Sequence, residues 1–436
     1  MAGWQNLRML VGDEITQRRE EGCDVTGFRE RYEAARDDAE CMVVYNDLQN
    51  LPIKSDFPYV EPSPLAGIQV ASPGRWGRNI PKQDDKLFDK VHGAWLGRCA
   101  GCMLGKPVEG WGKDPLKIYL EHVGEYPLTD YVPTAPDPEK LPEGVAIPPH
   151  KSFCRGEFTH GMIDDDTNYT VLNLQAFKEK GPGFTTGDIG WMWLQYLPYH
   201  HVCTAERQAY INLVNELPLH VVPMFLNPFR EWIGAQIRAD FWGYCSPGWP
   251  VKAAEFAYRD AALSHIKNGI YGEMAAAAMI SAAFVTDDVV DVIGAGLDVV
   301  PAHSRIAETI ADCLKWKNEC ATWEEAFARM LETYYGRYSW VHTNNNLAIC
   351  LIAMLYGWPD FEKVLCISVM QGMDTDCNGA TVGSMIGAAL GAKALPDKWV
   401  KPLNGLLATS VMGYDLPKIE DLAKQTMDTI KVVSTL

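Results

Sequence analysis

The chain contains no long apolar run. Every hydrophobic segment is broken by glycine or charge well short of the roughly eighteen residues a membrane span needs, so no membrane partner is expected. Its first stretch, MAGWQNLRMLVGDEITQRREEG, has no basic lead, no apolar centre and no small-residue cleavage site, and is not read as a secretory signal. No run of Lys or Arg occurs, and the formal net charge is −17, which argues against a broad electrostatic hold on nucleic acid. The twelve cysteines lack the dense spacing of a disulfide framework and are read as reduced thiols of a cytoplasmic protein. Alternating β-branched runs are scarce, so little in the chain argues for a sheet.

What is present is an ordinary globular mixture, 47% hydrophobic and 22% charged over 436 residues, long enough for a substantial core. Ala-, Leu- and Trp-rich segments recur at helical spacing, among them Glu273–Phe284 and Asn346–Leu355. The expected fold is all-α. Residues 87–436 are read as the main domain and 1–86 as an N-terminal helical appendage, whose Pro-rich portion 51–86 serves as an extended connector. A second Pro-rich stretch, 127–150, is expected to form a large loop.

Two segments share a four-residue glycine repeat: Gly93, Gly97, Gly101, Gly105, and Gly379, Gly383, Gly387, Gly391. On a helix such a set lies along nearly one face. Each glycine costs a helix about 1 kcal/mol relative to alanine, so the repeat needs compensation, and close backbone packing against another helix is the natural one. Arg98 and Lys393, with the shortness of both segments, exclude a membrane version of the pattern.

Acidic groups gather where these helices meet loops. Glu109 follows the first repeat in Lys106-Pro107-Val108-Glu109, Asp374 and Asp376 precede the second, and Asp164-Asp165-Asp166 stand before the apolar run Tyr169–Phe177. N-capping explains one carboxylate per helix start but not three in a row, because like charges at that density repel unless a cation neutralises them. With no His or Cys companions, a carboxylate set of this kind suits a hard cation such as Mg²⁺. Capped, solvated helix starts remain the other reading.

Taken in order, GAWLGRCAGCMLGKPVEG (93–110), DDDTNYT (164–170) and GMDTDCNGATVGSMIGAALG (372–391) resemble the ADP-ribosylglycohydrolase family over roughly residues 87–400. The resemblance implies a compact multi-helix bundle with two Mg²⁺ ions in a cleft. It implies cleavage of an N- or O-glycosidic bond to ADP-ribose or a related ribosyl or glycosyl group. Substrates would be small glycosides, nucleotide-sugars or ADP-ribosylated molecules. On this basis Asp165, Asp166, Asp374, Asp376 and Glu109 match family acids and are expected to serve as metal ligands. Glu109 and Asp165 are expected to carry catalysis, with His265 and Asn168 contacting substrate. Two positions depart from the family pattern: Asp164 and Cys377 each stand where threonine is usual. Asp164 is expected to add an oxygen to the site and Cys377 to contribute little as a ligand, although its thiol could favour Mn²⁺. A binuclear-metal phosphohydrolase and a catalytically silent, structural member of the same fold are the alternatives.

Other motifs carry less. Arg230, Trp232, Arg238, Trp242, Tyr244 and Trp249 form a basic, aromatic stretch better explained as core than as a ligand platform. Cys99-Ala100-Gly101-Cys102 lacks the second pair that zinc would need.

Overall fold

A computed structural model of the chain describes residues 6–135, 137, 140–142 and 144–436. The expected helix at the extreme N-terminus and the Pro-rich loop at 127–150 therefore fall partly outside the described residues. Among those described there are twenty α-helices and no sheet, only isolated bridges.

The centre of the molecule is a pair of antiparallel helices, Asp85–Gly105 and Thr375–Leu390. The first is capped by Asp84, whose side chain accepts from the amides of Lys86 and Leu87. The second stops at Gly391, where φ is +84°. Their glycines face one another directly. A Cβ placed on Gly93 would lie 2.5 Å from the Gly387 carbonyl oxygen, one on Gly97 2.1 Å from that of Gly383, and one on Gly101 1.9 Å from that of Gly379. At the fourth level Gly105 meets the Thr375 carbonyl in the same way, at 2.1 Å. No side chain fits between these backbones, so the repeat is the condition for the two helices to touch.

The Ala-rich helix Lys267–Ala283 is buried from Asn268 onward and packs against Thr375–Leu390, Asp240–Cys245, Pro250–Ala261 and Val289–Leu297. Its small side chains again permit close approach. The basic, aromatic stretch lies inside this core. Arg238 is fully buried with its Nε 3.0 Å from Asp260 Oδ1, and Trp242 stacks on Phe184 with ring centroids 4.7 Å apart.

At the N-terminus, helices Leu7–Glu20, Phe28–Ala34 and Asp38–Gln49 enclose their own small apolar cluster around Val11, Ile15, Phe28, Cys41, Val44 and Leu48. The connector is less extended than its prolines suggest. Pro64 precedes a short helix, Leu65–Ala71, which buries Ile68 in the main core. The N-terminal segment is attached through buried charge. Arg230 holds Glu14 at 2.7 Å and Glu21 at 2.8 Å, and Arg305 holds Glu61 at 2.7 Å and Glu231 at 2.6 Å. Removing one partner of such a pair costs about 3–5 kcal/mol, because the other charge is left buried and alone.

All twelve cysteines are free. No described helix is long and apolar enough to cross a membrane.

The glycine contact has a direct test. Gly101→Ala should destabilise the protein by on the order of 3 kcal/mol or more, since its Cβ meets backbone that cannot give way. Gly294→Ala, in helix Val289–Leu297 with nothing within 4 Å of the new Cβ, should instead stabilise it by about 0.5–1 kcal/mol. Chemical denaturation of both variants reads the contrast, and equal effects would remove the packing argument.

Candidate active site

Because the central helices run antiparallel, the C-terminus of one lies beside the N-terminus of the other. The Thr375 hydroxyl donates to the Gly105 carbonyl at 2.8 Å. Just beyond, the Gly110 amide donates to the Met373 carbonyl and the Met373 amide to the Trp111 carbonyl, both at 2.8 Å. This short antiparallel bridge forces Met373 to φ +66°, a conformation that costs a non-glycine residue energy, directly before Asp374. Lys106 and Glu109 are thereby brought against Asp374 and Asp376.

The third acidic group arrives on helix Asp165–Lys180, and Arg98 fixes its position. Arg98 is completely buried and projects from the first glycine helix. Its Nε and Nη2 donate to the Asp166 carbonyl at 3.0 and 2.5 Å, and Nη2 also donates to the Ile237 carbonyl at 2.5 Å. Its Nη1 lies 2.7 Å from Asp240 Oδ2. Arg98 Nη2 also reaches Asp166 Oδ1 at 3.3 Å, so Oδ2 is the carboxylate oxygen that remains available.

Three groups of ligand-capable atoms result among the described residues, each within 4.8 Å: Glu109, Asp374 and Asp376; Asp166, Asp376 and Cys377; and Cys102, Asp164 and Asp166. Asp376 and Asp166 each belong to two. Asp166 Oδ2, Asp374 Oδ1 and Asp376 Oδ1 are buried with no hydrogen-bond partner among the described residues. Burial, then repulsion from neighbouring carboxylates, pushes Asp166 and Asp374 well above the usual carboxylate range. Burial and the Asp164 charge do the same to Asp165, which is only half-buried and lies near Cys203. Buried carboxylate oxygens without partners are costly, and a hard cation is the partner they fit.

Lys106 occupies the middle of this charge. Its Nζ lies 2.8 Å from Glu109 Oε2, 2.9 Å from Asp164 Oδ2 and 2.8 Å from Asp376 Oδ2. Burial alone would discharge the lysine, but Asp164 and Asp376 hold it firmly charged.

Several expected ligands and contacts carry other interactions in the structure. Asp164, expected to be a metal ligand, belongs to the group with Cys102 and Asp166 and also caps its helix. Oδ1 accepts from the Asp166 amide at 3.0 Å and Oδ2 faces Lys106. Burial pushes its pKa up, but Lys106 and the Asp166 amide together outweigh that and hold it below the ordinary aspartate value. Asn168, expected to contact substrate, is tied to the loop around Ser410. Its Nδ2 donates to Ser410 Oγ at 2.8 Å and its Oδ1 accepts from the Ser410 amide at 2.9 Å. His265 has no exposed surface. Its Nδ1 is 2.8 Å from Ser264 Oγ, and burial followed by Arg238 pushes its pKa well below the ordinary value, so it is placed as a neutral core residue. Burial, then Asp166, pushes the Cys377 thiol well above its ordinary value, and a neutral thiol is a poor ligand for a hard ion.

Glu109 is partly exposed, with about a third of its side chain (32%) accessible. Burial, and next the charge of Asp376, push its carboxyl up to about 7. His150, at the end of the Pro-rich loop, lies 3.9 Å from Glu109 Oε2. Gly110 and Met373, the chain neighbours of Glu109 and Asp374, line a cavity of about 490 Å³ together with Trp111, Phe327, Tyr335 and Trp340, and none of the site's acids forms its wall. Lys106, Arg98 and His150 are the residues that sequence reasoning missed. The one available signal was a lone lysine between Gly105 and Pro107 in an otherwise acidic constellation.

Residues 83–433 match the ADP-ribosylglycohydrolase family, and the chain belongs to it. Family membership supports a hydrolase acting on glycosyl bonds. One solved structure, titled "ADP-ribosylglycohydrolase-related protein complex", aligns with 18% identity and a TM-score of 0.49, covering 80% of this chain and 99% of that one. No curated protein matches the chain.

The raised carboxyl gives a pH signature in protein freed of divalent ions. Folded Glu109 keeps a proton to about pH 7, whereas the unfolded chain releases it near 4.5. The stability this proton contributes is complete below 4.5, declines as pH rises, and is gone above about 7. Glu109→Gln should flatten that part of the stability–pH curve. Parallel wild-type and variant curves, measured by urea denaturation in chelator, would assign the titration elsewhere.

Proposed function

We propose that this protein is a metal-dependent glycohydrolase that cleaves an N- or O-glycosidic bond to ADP-ribose or a related ribosyl or glycosyl group. The observation that carries the reading is Glu109. It is a partly exposed carboxyl raised to about 7 in metal-free protein, beside partner-free buried carboxylates. Such a group can both give and take a proton, as glycosidic cleavage requires.

Asp166 and Asp376 would hold a divalent ion, Mg²⁺ in the first instance and Mn²⁺ the alternative, with the free oxygen of Asp374 beside Asp376. When bound, such an ion supplies positive charge that can orient sugar hydroxyls and acidify a water. This chain's own residues do the rest. Glu109 moves the proton at its carboxyl oxygen, to a leaving group or from a water. Lys106 holds Glu109 Oε2 at 2.8 Å and so fixes which oxygen faces outward. Asp165, half-buried and also raised above its ordinary value, is the second acid within reach. Trp111, Trp340 and Tyr335, which line the neighbouring cavity, offer flat apolar faces on which a nucleobase or an aromatic aglycone can stack.

Glu109→Gln should retain the wild-type melting temperature near neutral pH in the presence of Mg²⁺ and lose about 100-fold or more in kcat. The assay is release of free ADP-ribose or sugar from ADP-ribosylated protein, ADP-ribose derivatives and simple glycosides. Release of inorganic phosphate with every sugar bond intact would replace the reading with a phosphohydrolase. Metal-dependent thermal stabilisation without turnover of any substrate would make the protein a silent member of its family.

A further inference from the structure

Lys106 is placed where a cation is wanted and is itself a cation. Its ammonium has three donors, and each finds a carboxylate oxygen: Glu109 Oε2, Asp164 Oδ2 and Asp376 Oδ2, all within 2.9 Å. Glu109 and Asp376 are also two of the three members of one ligand-capable group. The ammonium already engages one oxygen on two of the three carboxylates of that group, so a divalent ion there would share both with a cation 2.8 Å from each. Asp164 cannot make up the loss, because its other oxygen is taken by the Asp166 amide.

The second group is different. Asp376 divides its carboxylate, with Oδ2 on the ammonium and Oδ1 buried without a partner. Asp166 likewise leaves Oδ2 without a partner, although its residue is fully buried and its backbone is held by Arg98. Two carboxylate oxygens completed by water are a sufficient protein contribution for Mg²⁺, which loses its hydration reluctantly. Cys377, the third member of this group, offers only a soft sulfur, a poor partner for a hard ion.

We propose that the Lys106 ammonium substitutes for one of the two divalent ions expected of this family. The site then binds a single ion on Asp166 and Asp376, with Asp376 bridging ion and ammonium as a carboxylate bridges two metals. This rests on the metal-dependent reading above. A fixed monovalent cation would keep Glu109 and Asp376 together whether or not metal is bound, and the ion would be confined to the Asp166 side.

The test is a metal count on the full-length protein. Chelator-stripped protein is dialysed to equilibrium against Mn²⁺ and the bound metal measured by plasma mass spectrometry, with Mn²⁺ electron paramagnetic resonance on the same samples. Wild type should take up one Mn²⁺ per chain with an uncoupled six-line spectrum. Lys106→Met should take up two, with the spectrum broadened by spin coupling, and Asp166→Asn should lower wild-type Mn²⁺ affinity at least tenfold. Two ions in wild type would overturn the substitution while leaving the metal-dependent reading intact. No ion in wild type would overturn both. A folded Lys106→Met that still takes one ion would show that the lysine stands in for nothing. If Lys106→Met does not fold, the wild-type count decides alone.

Discussion

The contact between glycine backbones at the centre of the molecule is the constraint on which the rest depends. Gly97 on Gly383 and Gly101 on Gly379 leave no room for a methyl group, and this sets the register of the two helices. A slip of one turn along either helix would keep glycine against glycine at most levels. It is excluded at the ends, where the Thr375 hydroxyl meets the Gly105 carbonyl and Gly110 pairs with Met373. Register at the core therefore becomes position at the site: once Gly105 lies on Thr375, Glu109 and Asp376 must meet. The helical cost of the glycines, about 1 kcal/mol each, is offset by backbone packing that no larger residue allows.

The same geometry creates an electrostatic problem, because three chain segments deliver carboxylates to one buried place. Two cations from the first glycine helix and its extension meet it in different ways. Arg98 grips the backbone of Asp166 and one of its carboxylate oxygens, and pairs with Asp240 as well. That fixes the helix and leaves Asp166 Oδ2 free. Lys106 engages side chains only, drawing Glu109, Asp164 and Asp376 onto one nitrogen. The first is positioning and the second is neutralisation. The oxygens left over, on Asp166, Asp374 and Asp376, are those that neither cation satisfies.

The helical fold, the glycine pairing and the three acidic clusters were legible in the sequence because each is a local pattern. A four-residue glycine repeat, an aspartate at a helix start and an alanine-rich run announce themselves within a dozen residues. The roles of Lys106, Asn168 and His265 were not. Lys106 and Asp376 are 270 residues apart, and no local spacing connects them. Asn168 lies one helical turn past Asp164, on the favourable side for a ligand, but its amide is consumed by Ser410 from a loop 242 residues away. His265 follows a serine ahead of a glycine-bearing helix, a pattern that suits either a ligand contact or a core residue, and only burial distinguishes them. The N-terminal attachment was hidden for the same reason, since Glu14 reaches Arg230 across 216 residues.

That attachment also explains how an acidic protein can afford so many buried charges. Arg98, Arg230, Arg238 and Arg305 are all inaccessible, and each is paired with carboxylates that are inaccessible too. Pairs of this kind add little net stability, since desolvation consumes most of the attraction, but breaking one is expensive. Their effect is to penalise any arrangement in which the partners miss each other. Arg230 and Arg305 impose that penalty between the N-terminal segment and the main core, and Arg98 imposes it between the aspartate helix and the glycine pair. The active site needs carboxylate oxygens held at fixed separations without being satisfied by protein donors. A core that tolerates charge only in matched positions can hold them there, and the acids at the site are left with oxygens that an added cation or a substrate can complete.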